Sequence, residues 1–334
     1  MPDICDSTTN DALYRAMLFD TLIPMIKSSA GRKVLSLRTI DSYGVFIPYL
    51  IIPFRIKSVK VLFRFLRTVI RDFFLLQFSV KWHFKTIPVL DVSHSLDDLI
   101  PFAPDKVQIY LNFTNFWIRP MTFLFRRIGI RKALPYCTEY LSLIEQAYLE
   151  AAKVYRFCMT TTNRPDYKAD KAFKIIHALD PHLLCVPSLH VSIVVLASVY
   201  YAEVFKQEDF TQEERVFYTE ELQEGARRII ESVLYIKQHS VNCIPAAMYM
   251  MLYVLKGRFT ISAGVDIINN LFADDETLSE QTKQEVRTHI HFMFERFLLE
   301  GAHENDWAIP VKRWLQSYAR SKNTILPIDR LSLT

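Results

Sequence analysis

Residues 180–205 read DPHLLCVPSLHVSIVVLASVYYAEVF, a short segment with two prolines followed by a largely apolar run. Pro187 is suited to the first position of a helix, which would place residues 188–190 in the opening turn. The run from Leu189 to Phe205 is apolar enough to be a helical candidate. We therefore expect a long apolar helix that begins at a Pro-Ser-Leu-His sequence.

The composition of the whole chain also favours helix. The chain has 334 residues, of which 50% are apolar and 23% charged, and this balance excludes disordered and collagen-like proteins. Its 7 glycines are too few for Gly-rich phosphate loops, a dinucleotide-binding fold or a many-turned β-sandwich. The sequence therefore predicts an all-α, multi-helix protein.

Further helical candidates lie on both sides of the apolar run. Residues 137–157 carry apolar side chains near a 3.6-residue period, and residues 229–255 are largely apolar. Residues 207–225 are acidic and polar, which indicates a solvated linker or an amphipathic hairpin. Residues 273–288 resemble a capped helix start that leads into another apolar segment.

The positive charge is concentrated near the N-terminus. Residues 27–85 contain twelve Lys or Arg and only two acidic residues. Five of these basic residues follow spacings of 3 and 4, which place them on one stripe of a helix: Lys57, Lys60, Arg64, Arg67 and Arg71. The rest of that helix is bulky and aromatic, a form typical of an anionic lipid surface, although a core helix with a charged edge has the same pattern. Nucleic acid is not an expected partner, because apolar rather than polar residues separate the basic ones.

The sequence contains no convincing membrane span. The longest run without Asp, Glu, Lys or Arg, residues 181–202, includes two histidines and Pro187. We therefore expect a membrane-associated protein, peripheral or weakly inserted, with a cytoplasmic location as the alternative. The five cysteines form no CxxC pattern, so we expect reduced thiols and predict neither a metal site nor a cofactor.

Three short segments could carry chemistry. They are TTTNRP at residues 160–165, DPHLLCVPSLHV at residues 180–191 and SVLYIKQHSVNC at residues 232–243. An isolated Pro-Ser-Leu-His is usually a plain helix cap, but free backbone N–H groups, a hydroxyl and an imidazole at a helix N-terminus also form a competent anion site. His239 lies inside a helical pattern and could act as a nucleophile or an acid/base group near neutral pH.

The combination of these segments resembles the type-2 phosphatidic acid phosphatase and haloperoxidase superfamily, in its inositol-phosphorylceramide synthase-like branch. The resemblance covers residues 95–260. The residues that carry it are Arg164-Pro165, Asp180-Pro181, Pro187-Ser188-Leu189-His190, Ser232 and Lys237-Gln238-His239. It divides the chain into a basic amphipathic N-terminal region (1–94), a phosphatase-like helical core (95–260) and a polar helical C-terminal segment (261–334).

The resemblance implies a phosphatase or phosphotransferase that acts on a phospholipid or isoprenoid-type phosphate. It implies that His239 attacks phosphorus to form a phosphohistidine and that His190 protonates the leaving oxygen. The phosphate-binding residues that it implies are Arg164, Ser188, Leu189 and Lys237. Phosphoryl transfer depends mainly on positioning and charge neutralisation, which arginine and helix-end amides supply without a metal.

The sequence departs from the family pattern at two functional positions. The family has Lys seven residues before the first-motif arginine, and this chain has Phe157. The family has Asp four residues after the nucleophilic histidine, and this chain has Cys243. A thiol is a poor substitute for a carboxylate that orients an imidazole. Two functions therefore stay open: an active enzyme, or a catalytically reduced relative that binds lipid or phosphate.

Overall fold

The computed structural model describes residues 37–167, 171–324 and 326. The chain divides into two compact units, Met1–Arg38 and Thr39–Thr334, and the fold described below is that of the second. Residues 1–36, which include the first part of the basic N-terminal region, and residues 327–334 lie outside the described residues. The regions 1–94, 95–260 and 261–334 that we expected from the sequence all contribute residues to this second unit. We therefore use their names only for segments of the sequence.

The prediction of an all-α protein is confirmed, since helices dominate the described residues. The α-helices are α1 (Phe46–Ile51), α2 (Ile56–Val69), α3 (Leu75–Lys81), α4 (Val107–Leu111), α5 (Phe113–Arg127), α6 (Ile130–Tyr155), α7 (Lys171–Leu179), α8 (Leu189–Gln207), α9 (Gln212–Tyr235), α10 (Cys243–Val254), α11 (Ile261–Asn270), α12 (Glu280–Gly301) and α13 (Ala308–Ser321). Two short strands, β1 (Val89–Asp91) and β2 (Met159–Thr161), complete the fold with 3₁₀ turns and a π-helical turn at Ile70–Phe74.

Helix α8 lies at the centre of the unit and packs against α5, α6, α9 and α10. Among the described residues it is the one helix long and apolar enough to span a membrane, and 72% of its most apolar window is buried inside the protein. Ser188 is its N-cap, and the Ser188 hydroxyl accepts a hydrogen bond from the Val191 amide at 3.4 Å. Pro187 therefore precedes the cap and does not occupy the first helical position.

A small parallel ribbon joins the first two motif segments, and the sequence did not predict it. Strand β1 pairs with β2, with Leu90 opposite Thr160, and Thr160 also bridges to Leu184. Residue 160 comes shortly after α6, and residue 184 comes shortly before α8. The ribbon therefore fixes the start of α8 against the end of α6.

The third motif segment is helical only at its two ends, contrary to expectation. The predicted helix over residues 229–255 is interrupted between Tyr235 and Cys243, where Lys237 adopts a left-handed conformation with φ of 55°. We call residues 236–242 the histidine loop. The Asp97 carboxylate accepts a hydrogen bond from the Val241 amide at 2.9 Å, a tertiary contact that local helix propensity does not reveal. Residues 207–225 belong largely to α9 and form neither a linker nor a hairpin.

A buried tyrosine in α6 provides a test of the packing. Tyr140 is fully buried, and its hydroxyl has no hydrogen-bond partner among the described residues. The nearby Tyr201 hydroxyl donates to the Trp117 carbonyl oxygen at 3.2 Å. We expect Tyr140→Phe to raise the free energy of unfolding by about 1 kcal/mol, because an unsatisfied buried hydroxyl is lost, and Tyr201→Phe to lower it by about 1 kcal/mol. Urea denaturation of both variants checks this, and a Tyr140→Phe protein as destabilised as Tyr201→Phe would contradict it.

Candidate functional site

The structure brings the two predicted catalytic histidines into contact. His239, in the histidine loop, places Nε2 3.4 Å from Nδ1 of His190, in the first turn of α8. The same Nε2 lies 3.2 Å from the Ser188 hydroxyl oxygen. The two rings meet edge to face, with centroids 5.5 Å apart. Residues that are far apart in sequence therefore form one imidazole pair at the N-terminus of a helix.

A small pocket lies against this pair. Among the described residues its lining consists of Phe73, Asp180, His182, Leu184, Cys185, Leu189, His190, Gln238 and His239. The cavity volume is about 20 Å³, which is room for one water molecule. A tetrahedral phosphoryl group is larger, so it enters only when lining side chains move.

Arg164 reaches this pocket through Gln238. One guanidinium nitrogen of Arg164, Nη1, donates to the Gln238 side-chain oxygen at 3.1 Å. Burial lowers the pKa of Arg164, and the nearby Asp180 carboxyl opposes that shift. Burial also raises the pKa of Asp180, although the His182 amide donates to its carboxylate at 2.9 Å. An arginine thus stands at the edge of the pocket with a hydrogen-bonded neutral partner that an anion can displace.

The surroundings of the two histidines keep both rings neutral near pH 7. His190 lies between aromatic rings, with centroids 4.6 Å away for Tyr110 and 4.7 Å away for Phe113. Burial, with a smaller contribution from nearby His239, lowers the pKa of His190 to about 3. Burial lowers the pKa of His239 to about 4, against a smaller opposing effect of the Cys185 backbone. A neutral imidazole keeps the nitrogen lone pair that a nucleophile needs.

The other ring nitrogen of His239, Nδ1, has no described neighbour that orients the ring through a hydrogen bond. Nδ1 is buried and has no hydrogen-bond partner among the described residues. The Cys243 side chain points back toward the histidine loop, where its sulfur accepts from the Ser240 amide at 3.4 Å. Burial raises the pKa of the Cys243 thiol, so it carries no charge near neutral pH. No described carboxylate therefore forms a hydrogen bond with Nδ1 of His239.

The predicted phosphate-binding residues divide into two groups. Ser188 and Leu189 lie at the pocket, because the start of α8 forms one wall, and the first amides of a helix lack intrahelical partners. Lys237 does not lie there, and its predicted role in the pocket is not supported by its position. The Lys237 ammonium group instead donates to the carbonyl oxygens of Asp97 and Ile100, because its left-handed backbone turns the side chain away.

Asp97 is a positioning residue that the sequence analysis did not single out. Its carboxylate accepts from the His94 amide at 2.8 Å as well as from the histidine loop at Val241. Burial raises the pKa of Asp97, and these hydrogen bonds lower it. Together with the contacts of Lys237, Asp97 holds the loop that carries His239.

Two further pocket residues were also missed. His182 adopts a left-handed conformation with φ of 63°, and its Nε2 lies 2.7 Å from the Thr162 hydroxyl oxygen. Its place directly after Asp180-Pro181 was a signal that could have identified it. Phe73 comes from the π-helical turn after α2, and no sequence signal connects it with residues more than a hundred positions away.

The two cations closest to Phe157 in sequence, Lys153 and Arg156, are both held in ion pairs. Lys153 pairs with Glu150 at 2.6 Å and with Asp306 at 3.2 Å, and Arg156 pairs with Asp72. The part of the chain that the structure describes contains no group of three or more His, Cys, Asp or Glu side chains that could hold a metal ion. Arg164 is therefore the cation that the motif segments bring to the pocket edge.

Comparisons of this chain with models of protein families, with curated proteins and with solved structures find no match. The family resemblance of the three motifs accordingly stays a prediction. The contacts of the pocket are the basis for the function proposed below.

Proposed function

We propose that the protein is a phosphatase or phosphotransferase that acts on a lipid phosphate through a phosphohistidine intermediate. The observation that carries the proposal is the 3.4 Å approach of His239 Nε2 to His190 Nδ1 at the N-terminus of α8. A nucleophile and an acid/base group within reach of one reacting atom form the minimal apparatus for phosphoryl transfer. We also propose that the helices around α8 correspond to the core of the phosphatidic acid phosphatase and haloperoxidase superfamily.

In the first step the lone pair of His239 Nε2 forms a bond to phosphorus, and the bond between phosphorus and the ester oxygen breaks. The departing oxygen takes a proton from His190. In the second step His190 removes a proton from water or from an acceptor alcohol, whose oxygen attacks phosphorus and breaks the bond to His239. Water gives hydrolysis, and an alcohol gives headgroup transfer.

The same end of α8 supports stabilisation of the transferring group. Arg164, the Ser188 hydroxyl and the first amides of the helix offer donors to the phosphoryl oxygens. Such preorganised donors act on the charge that develops in the transition state. Arg164 has to exchange Gln238 for a phosphoryl oxygen, and the stronger hydrogen bond to a charged acceptor favours that exchange.

A bound phosphate also accounts for how His190 becomes an acid. Its pKa of about 3 leaves the ring neutral near pH 7 while no anion is bound. A phosphate dianion within a few ångströms favours the protonated imidazole and raises that pKa. Substrate binding therefore creates the protonated form that the first step needs.

The test is phosphate release from p-nitrophenyl phosphate and from phosphatidic acid, with a metal chelator present, followed by denaturation of the reacting protein. We expect chelator-resistant release and a phosphorylated protein whose label is lost in acid and kept in alkali, as a phosphoramidate requires. The label should be absent from His239→Ala. A protein with no release and no label would refute the proposal.

A second function, phosphate or lipid-phosphate binding with little turnover, is favoured by the unpartnered Nδ1 of His239. Loss of the orienting carboxylate costs ~10⁴ in turnover in a serine protease triad. Calorimetric binding of inorganic phosphate that depends on Arg164, without phosphate release from any ester, would identify this function.

Cys243→Asp tests how much the missing carboxylate matters. A carboxylate near Nδ1 would raise the pKa of His239 from about 4 and hold one tautomer, so we expect turnover to rise on the order of 10-fold or more. Cys243→Ser is the control, because it changes the sulfur without adding charge. Histidine NMR titration and steady-state kinetics measure both effects. An aspartate variant that is folded but no more active than the serine variant would show that the carboxylate does not limit turnover.

A further inference from the structure

Helix α2 exposes large apolar side chains on the side that faces away from the protein. Its side facing the protein buries Phe65 together with Ser58 and Thr68. Its outer side presents Ile56, which is 78% exposed, and Phe63, which is 69% exposed. Surface helices normally bury the apolar side chains and expose the polar ones. The outer face of α2 is therefore suited to an apolar environment.

The exposed apolar residues of this segment form a continuous stripe with spacings of 3 and 4. We call it the apolar stripe, and it consists of Ile56, Val59, Phe63, Leu66 and Ile70. Helix α1 and the turn after it add Phe46, Tyr49, Leu50 and Phe54. More than half of the large exposed apolar side chains among the described residues lie between positions 46 and 84. An exposed patch of this kind marks a surface that contacts another molecule or a membrane.

A basic stripe runs beside the apolar stripe, one residue later at each position. It consists of Lys57, Lys60, Arg64, Arg67 and Arg71, all exposed, as the spacing predicted. Arg64 pairs with Glu145 at 2.9 Å and Arg71 with Asp72 at 2.6 Å. The remaining three make no ion pair with the described residues. Residues 43–71 contain no Asp or Glu, so this segment itself contributes only positive charge to the face.

The same segment reaches the histidine pocket. Phe73, in the π-helical turn, lines that pocket. Its ring meets the ring of Phe74 edge to face with centroids 5.1 Å apart, and Phe74 is 38% exposed. A surface next to the apolar stripe is thus separated from the pocket by two adjacent aromatic rings.

We infer that the apolar and basic stripes seat the protein on an anionic lipid bilayer, with the bilayer at the Phe73 side of the histidine pocket. Apolar side chains enter the boundary between headgroups and acyl chains while Lys57, Lys60 and Arg67 contact lipid phosphates. A lipid substrate then reaches the pocket from the bilayer, and this last step rests on the proposed function. The docking of the two stripes on the bilayer does not depend on the proposed function.

Vesicle co-sedimentation of the full chain tests the docking. The vesicles contain phosphatidylcholine alone or with phosphatidylserine, which is a phosphodiester, so binding is measured without a phosphomonoester substrate. We expect binding to the anionic vesicles that weakens on the order of 100-fold in K57Q/K60Q/R67Q, because each basic residue near the surface contributes roughly fivefold. The matched control is K132Q/K206Q/K256Q, which removes the same charge from exposed positions elsewhere.

A second pair of variants tests insertion of the apolar stripe. F63S/L66S should weaken binding to anionic vesicles at least tenfold, whereas F292S/L299S, at exposed positions on α12, should not. A tryptophan in F63W should shift its emission to the blue when vesicles are added, and one in F292W should not. Binding indifferent to lipid charge, or unchanged in F63S/L66S, would overturn the inference. A dimer that F63S/L66S converts to a monomer, without vesicle binding, would assign the surface to a second copy of the chain.

Turnover separates the docking from the proposed function. With phosphatidic acid in anionic vesicles, K57Q/K60Q/R67Q should lose activity in proportion to its loss of binding, and it should hydrolyse p-nitrophenyl phosphate at the unaltered rate. Equal turnover on vesicles despite weaker binding would overturn access from the bilayer. Vesicle binding without turnover on any substrate would refute the proposed function and leave the docking intact.

Discussion

Replacement of His239 by alanine is expected to lower the turnover of every phosphomonoester substrate by roughly 10³-fold or more. In the proposed mechanism the covalent route disappears with its nucleophile, and only the rate that positioning supplies remains. In a serine protease, loss of the nucleophile costs ~10⁶. Because Nδ1 of His239 has no described partner, we expect a low starting rate, and the expected loss is smaller than in the protease. Initial rates of phosphate release measure it.

His190→Ala should behave differently, and the difference identifies the two roles. An acid that protonates the leaving oxygen contributes about 10²–10⁴, so alkyl phosphates such as phosphatidic acid should lose that factor. p-Nitrophenolate leaves readily without a proton, so p-nitrophenyl phosphate should lose much less. His303→Ala, at an exposed position, is the control for loss of an imidazole. Equal losses on both substrates in His190→Ala would contradict its role as the acid.

Acid should destabilise the folded protein steeply below about pH 6.5. Burial lowers the pKa of His239 to about 4 and that of His190 to about 3, whereas both rings titrate near pH 6.5 in an unfolded chain. As the pH falls from about 6.5 toward 4, the two histidines become protonated in the unfolded state but stay neutral in the folded state. The free energy of unfolding therefore decreases. Each ring contributes about 1.4 kcal/mol per pH unit, or roughly 3 kcal/mol by pH 4.

Buried carboxyl groups oppose this trend. Burial raises the pKa of Asp180 and of Glu231, so the folded state binds their protons at a higher pH than the unfolded state does. Their contribution strengthens the folded state as the pH falls through the raised pKa. The free energy of unfolding therefore changes less with pH than the histidines alone would require. The contribution of the histidines has to be measured by comparison with a variant that lacks them.

H190Q/H239Q provides that comparison, since it removes both rings and retains the carboxyl groups. Between pH 4.5 and pH 6 the unfolding of the variant should take up close to two protons fewer than that of the parent. The slope of unfolding free energy against pH should therefore fall by about 2.7 kcal/mol per pH unit. Urea denaturation at several pH values measures the slope for both proteins. The same slope in variant and parent would show that the two imidazoles are protonated in the folded state.

Local patterns predicted those parts of the site that local rules control. Ser188 and His190 follow a proline at the start of an apolar run, and they form the first turn of α8. The spacing of the basic residues likewise placed them on one exposed helical stripe. Both features depend on residues within a few positions of one another. The start of α8 and the basic stripe could therefore be predicted from local sequence.

The parts that the sequence did not predict depend on distant contacts. His239 was expected in a helix, but Asp97, far away in sequence, holds the Val241 amide and an irregular loop results. Lys237 lies two residues before His239 in sequence, but its left-handed backbone directs its side chain to carbonyl groups outside the pocket. The ribbon through Leu90 and Thr160 has the same origin, because each partner strand is too short to show a pattern of its own.

A cavity of about 20 Å³ has a kinetic consequence for any ligand. Because the resting site excludes a tetrahedral anion, association proceeds only from the fraction of molecules that have opened, and the apparent dissociation constant exceeds the intrinsic one by the inverse of that fraction. In stopped-flow mixing the observed rate should then level off at the opening rate as ligand concentration rises. Substitutions that loosen the bond between Arg164 and Gln238 should raise that ceiling.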